Sequence, residues 1–465
     1  MNPGPSTSPA LRATPVLALR LAARAAAIDV AAAPEPVRER LTQVVTHVLS
    51  AGLAAVGRPD VTAARRALLS GAGPSTVMGY PQGAAPAIAA LSNALPVAAE
   101  QRQDGHRKAR GHPASHLVPA VLAVAEAAGS TGRATGSAIL AGYEVGARLG
   151  AAQGGTPAGV HDIATWALPA TATGVAHLLS GGDPEVVAAA LDLAASVPVL
   201  PSADMVFHGA TGQHLLLALG AYLGVVWGQT AAAGLRPEPG ALEHHFSRFS
   251  AARWDPDLAD GPQPWAVMEG YLKRHPTCAH LHGVNDAVED LLADGPLVAS
   301  DVAGVEVRTY RAAAAFAEVH PLDDLSARFS IPWTVAVGLL RGDLEAGGFA
   351  PAALADPLLR SLAQRVQVWA DPSLEAGYPD GRPATVVVTL TDGSIRTAHA
   401  GRPRGDGPDA LTVPDVVSGP RNRLTALVGP TATDALLGAV HRLTEDGPGP
   451  VAAALGAAGA LATAG

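Results

Sequence analysis

Thr385-Val-Val-Val-Thr-Leu-Thr-Asp-Gly-Ser-Ile-Arg-Thr-Ala398 is the stretch on which the fold turns. Two runs rich in β-branched residues flank Asp392-Gly393, and such a pair between strand-like runs is a strong hairpin signal. Val305-Glu-Val-Arg-Thr-Tyr310 and Arg365-Val-Gln-Val-Trp369 alternate with a period of two, as half-buried strands do. Helical patterns lie among them. Ala279 to Ala293 places Val284, Ala287, Val288, Leu291 and Leu292 on one side, and Ser326 to Leu340 follows. Residues 269–404 therefore read as a smaller α+β domain.

Outside that segment the pattern is helical. Val118 to Ala128 is an Ala/Val helix closed by Gly129, followed by Thr135 to Leu149 and Ala167 to Leu179. Pro184 to Val197 has Asp183 as its N-cap, and Thr211 to Gly228 is apolar enough to be a central packing helix. After the Gly/Pro/Arg loop Gly401 to Pro408, Val416 to Ala460 is helical again. So much apolar helix must bury itself, as a bundle does. The expected fold class is mainly α with an inserted α+β domain. Residues 1–268 and 405–465 jointly build the helical part, and 269–404 form the insertion.

Composition narrows the function. A chain of 465 residues exceeds one ordinary core. Its 48% hydrophobic content with only 4% aromatics favours close-packed helices. A net charge of −9 argues against sequence-independent nucleic-acid binding. Cys278 is the single cysteine, so no intramolecular disulfide forms, which fits a reducing, cytoplasmic setting. No run of 18 apolar residues is free of charge, so no membrane span is expected. Met1 to Ala33 carries Arg12, Arg20 and Arg24 within its Ala/Leu stretch. It reads as a ragged tail and a helix rather than a signal peptide.

Lysine is nearly absent: of 32 basic residues only Lys108 and Lys273 are lysines. Lys, unlike Arg, changes protonation state when buried. Lys273 lies in Tyr271-Leu-Lys-Arg-His-Pro-Thr-Cys-Ala-His-Leu-His282, the densest titratable cluster of the chain. A second cluster, Asp104-Gly-His-Arg-Lys-Ala-Arg-Gly-His-Pro-Ala-Ser-His116, precedes a helix. It suits an anionic ligand at a helix N-terminus, or is a basic solvated loop. His161, in Gly159-Val-His161-Asp-Ile-Ala-Thr165, is either a general base or a structural histidine. Cys278, His280 and His282 are ligand types for zinc, but an α-helix would send Cys278 and His280 to different faces. A phosphate loop, a Gly-x-Ser-x-Gly elbow and a His-Glu-x-x-His motif are all missing from the sequence.

The order of these segments is specific. His112-Pro113 before Val118-Pro-Ala-Val-Leu-Ala123 comes first, then Ala141-Gly-Tyr-Glu-Val-Gly-Ala-Arg-Leu-Gly150. Gly159-Val-His161 follows, then Leu272-Lys-Arg-His-Pro276 and Ala327-Arg-Phe-Ser-Ile-Pro-Trp333. From about Val48 to Val428 the chain resembles the MmgE/PrpD family, which includes 2-methylcitrate dehydratases and cis-aconitate decarboxylases. The resemblance implies a helical domain from both chain ends and an inserted α+β lid. It also implies a homodimer, no metal or organic cofactor, and an active site between domain and lid. By the same resemblance His112, His161 and Lys273 are the catalytic positions. Asp104, His106, Phe207, His208, His275, Cys278 and His282 are expected to contact substrate.

Two departures bear on that substrate. The family's acidic stretch before His-Pro is reduced to Gln103-Asp104-Gly105-His106, with Glu100 as an alternative acid. A family lysine is replaced by Phe207 within Met205-Val-Phe-His-Gly-Ala210, which argues against a tricarboxylate. The expected activity is cofactor-independent β-elimination of water or another oxygen leaving group from a small anionic acid. Decarboxylation of an unsaturated acid, epimerisation through the same carbanion, and non-catalytic binding are the alternatives. Convergence of His112, His161 and Lys273 on one pocket discriminates catalysis from binding alone.

Overall fold

The computed structural model describes residues 17–161, 165–197, 199–261, 265–293, 295–447, 449 and 451–463. The tail expected before the first helix lies outside them. The chain is mainly helical with a small mixed sheet, and its apolar side chains gather into two principal cores. The larger core collects Leu21, Val44, Leu91, Val121, Leu149 and Val175 together with Val416, Leu424, Leu436 and Leu455. Both ends of the chain therefore share one interior. Helix Gln213–Ala232 is long and apolar enough to cross a membrane by length and composition alone. Here it packs against Pro86–Glu100 and Ala167–Ser180 as a central helix of the bundle.

Close approach between these helices depends on glycine. Gly142, Gly146 and Gly150 recur every fourth residue along Gly132–Ala152 and so share one face. A Cβ on Gly146 would lie 2.4 Å from the Cβ of Ala170, and one on Gly150 would lie 2.6 Å from that of Ala109. The same helix sends Glu144 to accept the Ala266 and Val267 amides at 2.9 and 3.0 Å, and its Tyr143 is wholly buried.

Two strands, β1 (Asp104–His106) and β2 (Gly270–Leu272), form a short antiparallel ladder. Four more build the mixed sheet: β3 (Val302–Thr309), β4 (Val366–Ala370), β5 (Ala384–Leu390) and β6 (Ile395–Ala400), in the order β4-β3-β5-β6. β3 runs parallel to β4, pairing Val305 with Val366, and antiparallel to β5, pairing Val307 with Val386. The hairpin from β5 to β6 pairs Thr389 with Ile395. At its turn Gly393 takes φ +86 and donates to Leu390 O, while Leu390 donates to Ser394 O. Only Gly393 needs positive φ there, so the turn closes with a bulge rather than as a two-residue primed turn.

The second core collects Leu281, Val284, Val288, Val307, Phe329, Trp333, Val386 and Val388. Leu272 belongs to the first core and Cys278 to the second, so the passage between them falls inside the Lys273 segment. The single helix expected over Ser326 to Leu340 is broken into Asp324–Ala327 and Ile331–Arg341. Ser330 caps the second piece by accepting the Trp333 amide at 3.0 Å, and Pro332 has no N–H to continue the first.

Candidate active site

The β1–β2 ladder brings two segments distant in sequence side by side. Asp104 pairs with Leu272, and the Lys273 amide continues the contact to Gln103 O at 3.4 Å. One cavity opens beside this ladder, with about 770 Å³ of empty space counted to its mouth. His112, His161, Phe207, Lys273 and Cys278 all line it.

His112 stands at the N-cap of helix Pro113–Ala128, held extended by the following proline. Its Nδ1 meets the Asp104 carbonyl at 2.6 Å. A carbonyl only accepts, so Nδ1 carries the proton and Nε2 keeps a bare lone pair. Burial, then the charge on Lys273, hold this imidazole well below its usual range. Asp104 stands behind it, with Oδ2 accepting the Ala114 amide at 3.2 Å. Burial raises that carboxyl to about 7, against the pull of the Ala114 amide, the Tyr143 hydroxyl and Lys273.

Lys273 is 1% exposed, and its Nζ donates to Gln101 Oε1 at 3.3 Å. Burial lowers the ammonium to about 7. Gln101 supports it from the end of helix Pro86–Glu100 with a φ of +59, an unusual backbone for a non-glycine residue. Arg328, from the Ala-Arg-Phe-Ser-Ile-Pro segment, fixes the loop beyond Lys273. Its Nη1 reaches Glu100 O at 2.9 Å and Pro276 O at 3.1 Å, and its carbonyl accepts the Cys278 amide at 2.9 Å. Arg102 adds a bond to Arg274 O at 2.9 Å.

Arg382 also lines the cavity. It is buried, stands 4.9 Å over the Tyr271 ring, and leaves Nε without a hydrogen-bond partner. Among the described residues neither Lys273 nor Arg382 has a carboxylate within ion-pair distance. Gln103 also lines the cavity, buried, with both side-chain polar atoms unpartnered. Buried cations and amides left unmatched are costly unless a ligand completes them.

Family models for the MmgE/PrpD N-terminal domain and the MmgE/PrpD C-terminal domain match residues 19–246 and 275–440. This chain belongs to the MmgE/PrpD family. Two curated relatives are cis-aconitate decarboxylases, one of Aspergillus terreus and one of Aspergillus terreus strain NIH 2624 / FGSC A1156. Each is 26% identical over 297 residues, covering 58% of this chain and 60% of the relative. The match thus spans less than two thirds of the relatives' length.

Not every position expected of this MmgE/PrpD chain reaches the cavity. Asp104 is one step behind it, through His112. His106 turns to the other side of β1, where its Nδ1 accepts the Ala109 amide at 3.2 Å. His208 is exposed, with Nδ1 bonded to the carbonyl of Asp204 one turn earlier at 2.8 Å. His275 faces Asp286 at 3.2 Å, and His282 packs edge-on against it with ring centroids 5.3 Å apart. Glu100 lies 3.6 Å from Arg328 in an internal ion pair, so it does not stand in for the missing acidic stretch at the cavity.

The expectation that Cys278 and His280 face apart is also corrected. Cys278 is extended and Ala279–Leu281 form a tight 3₁₀ turn, so helical spacing starts only at His282, and both residues line the cavity. The three-donor cluster that does gather among the described residues is His275, Asp286 and Glu289. There Arg274 Nη1 already bridges the two carboxylates at 2.8 and 2.9 Å. Sequence reasoning did not select Arg382, Arg107, Gln101, Gln103, Tyr271, His280 or Tyr378 for the cavity. His280 sat in plain view within the Lys273 cluster. Arg382 carried no local signal, because its approach depends on the turn before β5.

Proposed function

We propose that this MmgE/PrpD protein is a lyase that eliminates an oxygen leaving group from a small carboxylic acid. One observation carries this reading: two buried cations without carboxylate partners, Lys273 and Arg382, share a cavity with a neutral imidazole whose lone pair is free. The cations fit the substrate's carboxylate and the negative charge that develops beside it. His112 Nε2 removes the proton next to that carboxylate, and the C–H electron pair becomes the new C=C bond. The C–O bond breaks toward oxygen, and the Lys273 ammonium, lowered to about 7, supplies the proton to it. Arg382 keeps its charge throughout and holds the carboxylate. His161, which burial keeps neutral with a value lowered to about 4, lines the cavity as a polar wall rather than as the acid.

Phe207 adds an aromatic wall, its ring 5.3 Å from His161 and 5.9 Å from Phe316. This supports a substrate with an apolar portion and fewer charges than citrate. A second reading has one specific support, the similarity to proteins named cis-aconitate decarboxylase. In that case CO₂ departs, leaving its electron pair on carbon, and Lys273 protonates the carbanion. The chain covers only part of those relatives, and the cavity's cations serve both reactions.

The test is turnover followed by proton NMR with cis-aconitate, 2-methylcitrate and a panel of β-hydroxy acids. The wild type is expected to convert at least one compound, Arg382→Met to raise KM for it, and Lys273→Met to lower kcat by about 10²–10⁴-fold. Unchanged kinetics in both variants would remove the assignment.

A further inference from the structure

We propose that His280, held by Tyr310, is a neutral hydrogen-bond donor to the substrate oxygen that gains negative charge. The inference rests on the lyase reading above and adds a residue to it. His280 lines the same cavity as His112 and Lys273, and its Nδ1 lies 2.6 Å from the Tyr310 hydroxyl. Its ring stacks on Phe316 with centroids 5.5 Å apart, which fixes the plane of the imidazole.

The direction of the bond between His280 and Tyr310 follows from the chemistry of the two partners. Tyr378 stacks on the Tyr310 ring with centroids 4.6 Å apart, which fixes the phenol in place. A phenol O–H is a stronger donor than a neutral imidazole N–H, and a ring nitrogen is a stronger acceptor than a phenol oxygen, so the Tyr310 proton points at His280. Tyr310 therefore donates to Nδ1, and the single proton of a neutral imidazole must sit on Nε2. That N–H is the atom left to meet a ligand. Burial, then Arg382, with Arg107 and Lys273 behind it, hold the ring well below the usual histidine range, so it stays neutral. A neutral imidazole polarises an oxygen without giving up its proton. The cavity then carries complementary imidazoles: His112 presents a lone pair from the helical side, and His280 presents an N–H from the segment that opens the second core.

Two measurements decide this. In the ligand-free protein at pH 7, long-range nitrogen-15 spectra of histidine should show His280 neutral with its proton on Nε2. Tyr310→Phe should shift the proton toward Nδ1. A charged ring, or the Nδ1–H form in wild type, would overturn the proposal. Kinetics use the compound turned over best in the panel above. His280→Leu should lose about 10²–10³-fold in kcat with KM little changed, the usual cost of one such donor. His280→Gln, which retains an N–H, should recover part of it. Equal kcat in wild type and His280→Leu would also overturn it. If the wild type converts no compound, the lyase reading fails, and the tautomer measurement still decides whether His280 presents a donor.

Discussion

Near neutrality two protons set how activity depends on pH, that of Asp104, whose carboxyl is raised to about 7, and that of Lys273. Burial lowers its ammonium to about 7, whereas His112 stays neutral to well below its ordinary value. The required form is Lys273 charged and His112 uncharged. kcat/KM should therefore be flat from pH 5.5 to 6.5 and fall about tenfold per unit above the Lys273 value. A fall on the acid side near pH 6.5 would mean that His112 titrates normally and is not the base. Against burial, Cys278 and then Asp104 pull the Lys273 value back up. Asp104→Asn should move the alkaline fall to lower pH, by less than about one unit because Asp104 is only partly ionised there, as removal of a neighbouring opposite charge does. At this scale the sequence was legible where the residue type was rare: Lys273, the His-Pro pair and His161 stood out, whereas the equally rare Lys108 is a surface residue paired with Glu269. His106, His208, His275 and His282 looked equally good because spacing in a loop does not say which side of the chain faces the cavity.

The elements that matter most here are short or closely packed. The β1–β2 ladder is three residues on each strand, too short for any periodic pattern, and so it escaped the sequence reading although it aligns His112 with Lys273. The long helices were legible because their Ala/Val composition and glycine ends are local signals, as at Gly129, which closes Pro113–Ala128 with φ +64. The break at Ser330 was hidden because an apolar pattern continues across it. Gly146 tests the helix packing. Gly146→Ala places a methyl group 2.4 Å from the Cβ of Ala170, so the helices must part. The expected loss is about 1–3 kcal/mol by denaturant titration, the usual cost of overpacking. No loss would mean that the contact between Gly132–Ala152 and Ala167–Ser180 is looser than described.

Over the whole molecule, buried neutral histidines link stability to pH. Burial lowers His47 and His116 to about 3, and His106 and His245 to about 4. In the unfolded chain each returns to its ordinary value near 6.5. The folded state then binds fewer protons than the unfolded one below pH 6.5. Their contribution is complete above that value and is lost as pH falls toward the folded values, at roughly 1.4 kcal/mol per pH unit for each. Tm should decline steeply from pH 6.5 to 5. His116 has neither ring nitrogen hydrogen-bonded and packs edge-on against Trp166. His116→Phe should flatten that decline, and an unchanged slope would show that His116 is not held neutral. The cavity draws on both cores. Arg382 precedes the strand β5, and Gly283 at the start of His282–Ala293 approaches its carbonyl so closely that an added Cβ would sit 2.0 Å away.

The account's central claim is that His112 removes a proton beside a carboxylate held by Arg382, while Lys273 protonates the departing oxygen. The most direct measurement is solvent-deuterium exchange at that carbon, followed by proton NMR in D₂O for wild type and His112→Gln with the same panel of acids. Exchange or elimination in wild type that falls by at least about 10²-fold in His112→Gln is the predicted result. Equal exchange in the two proteins would contradict it and assign the base elsewhere in the cavity.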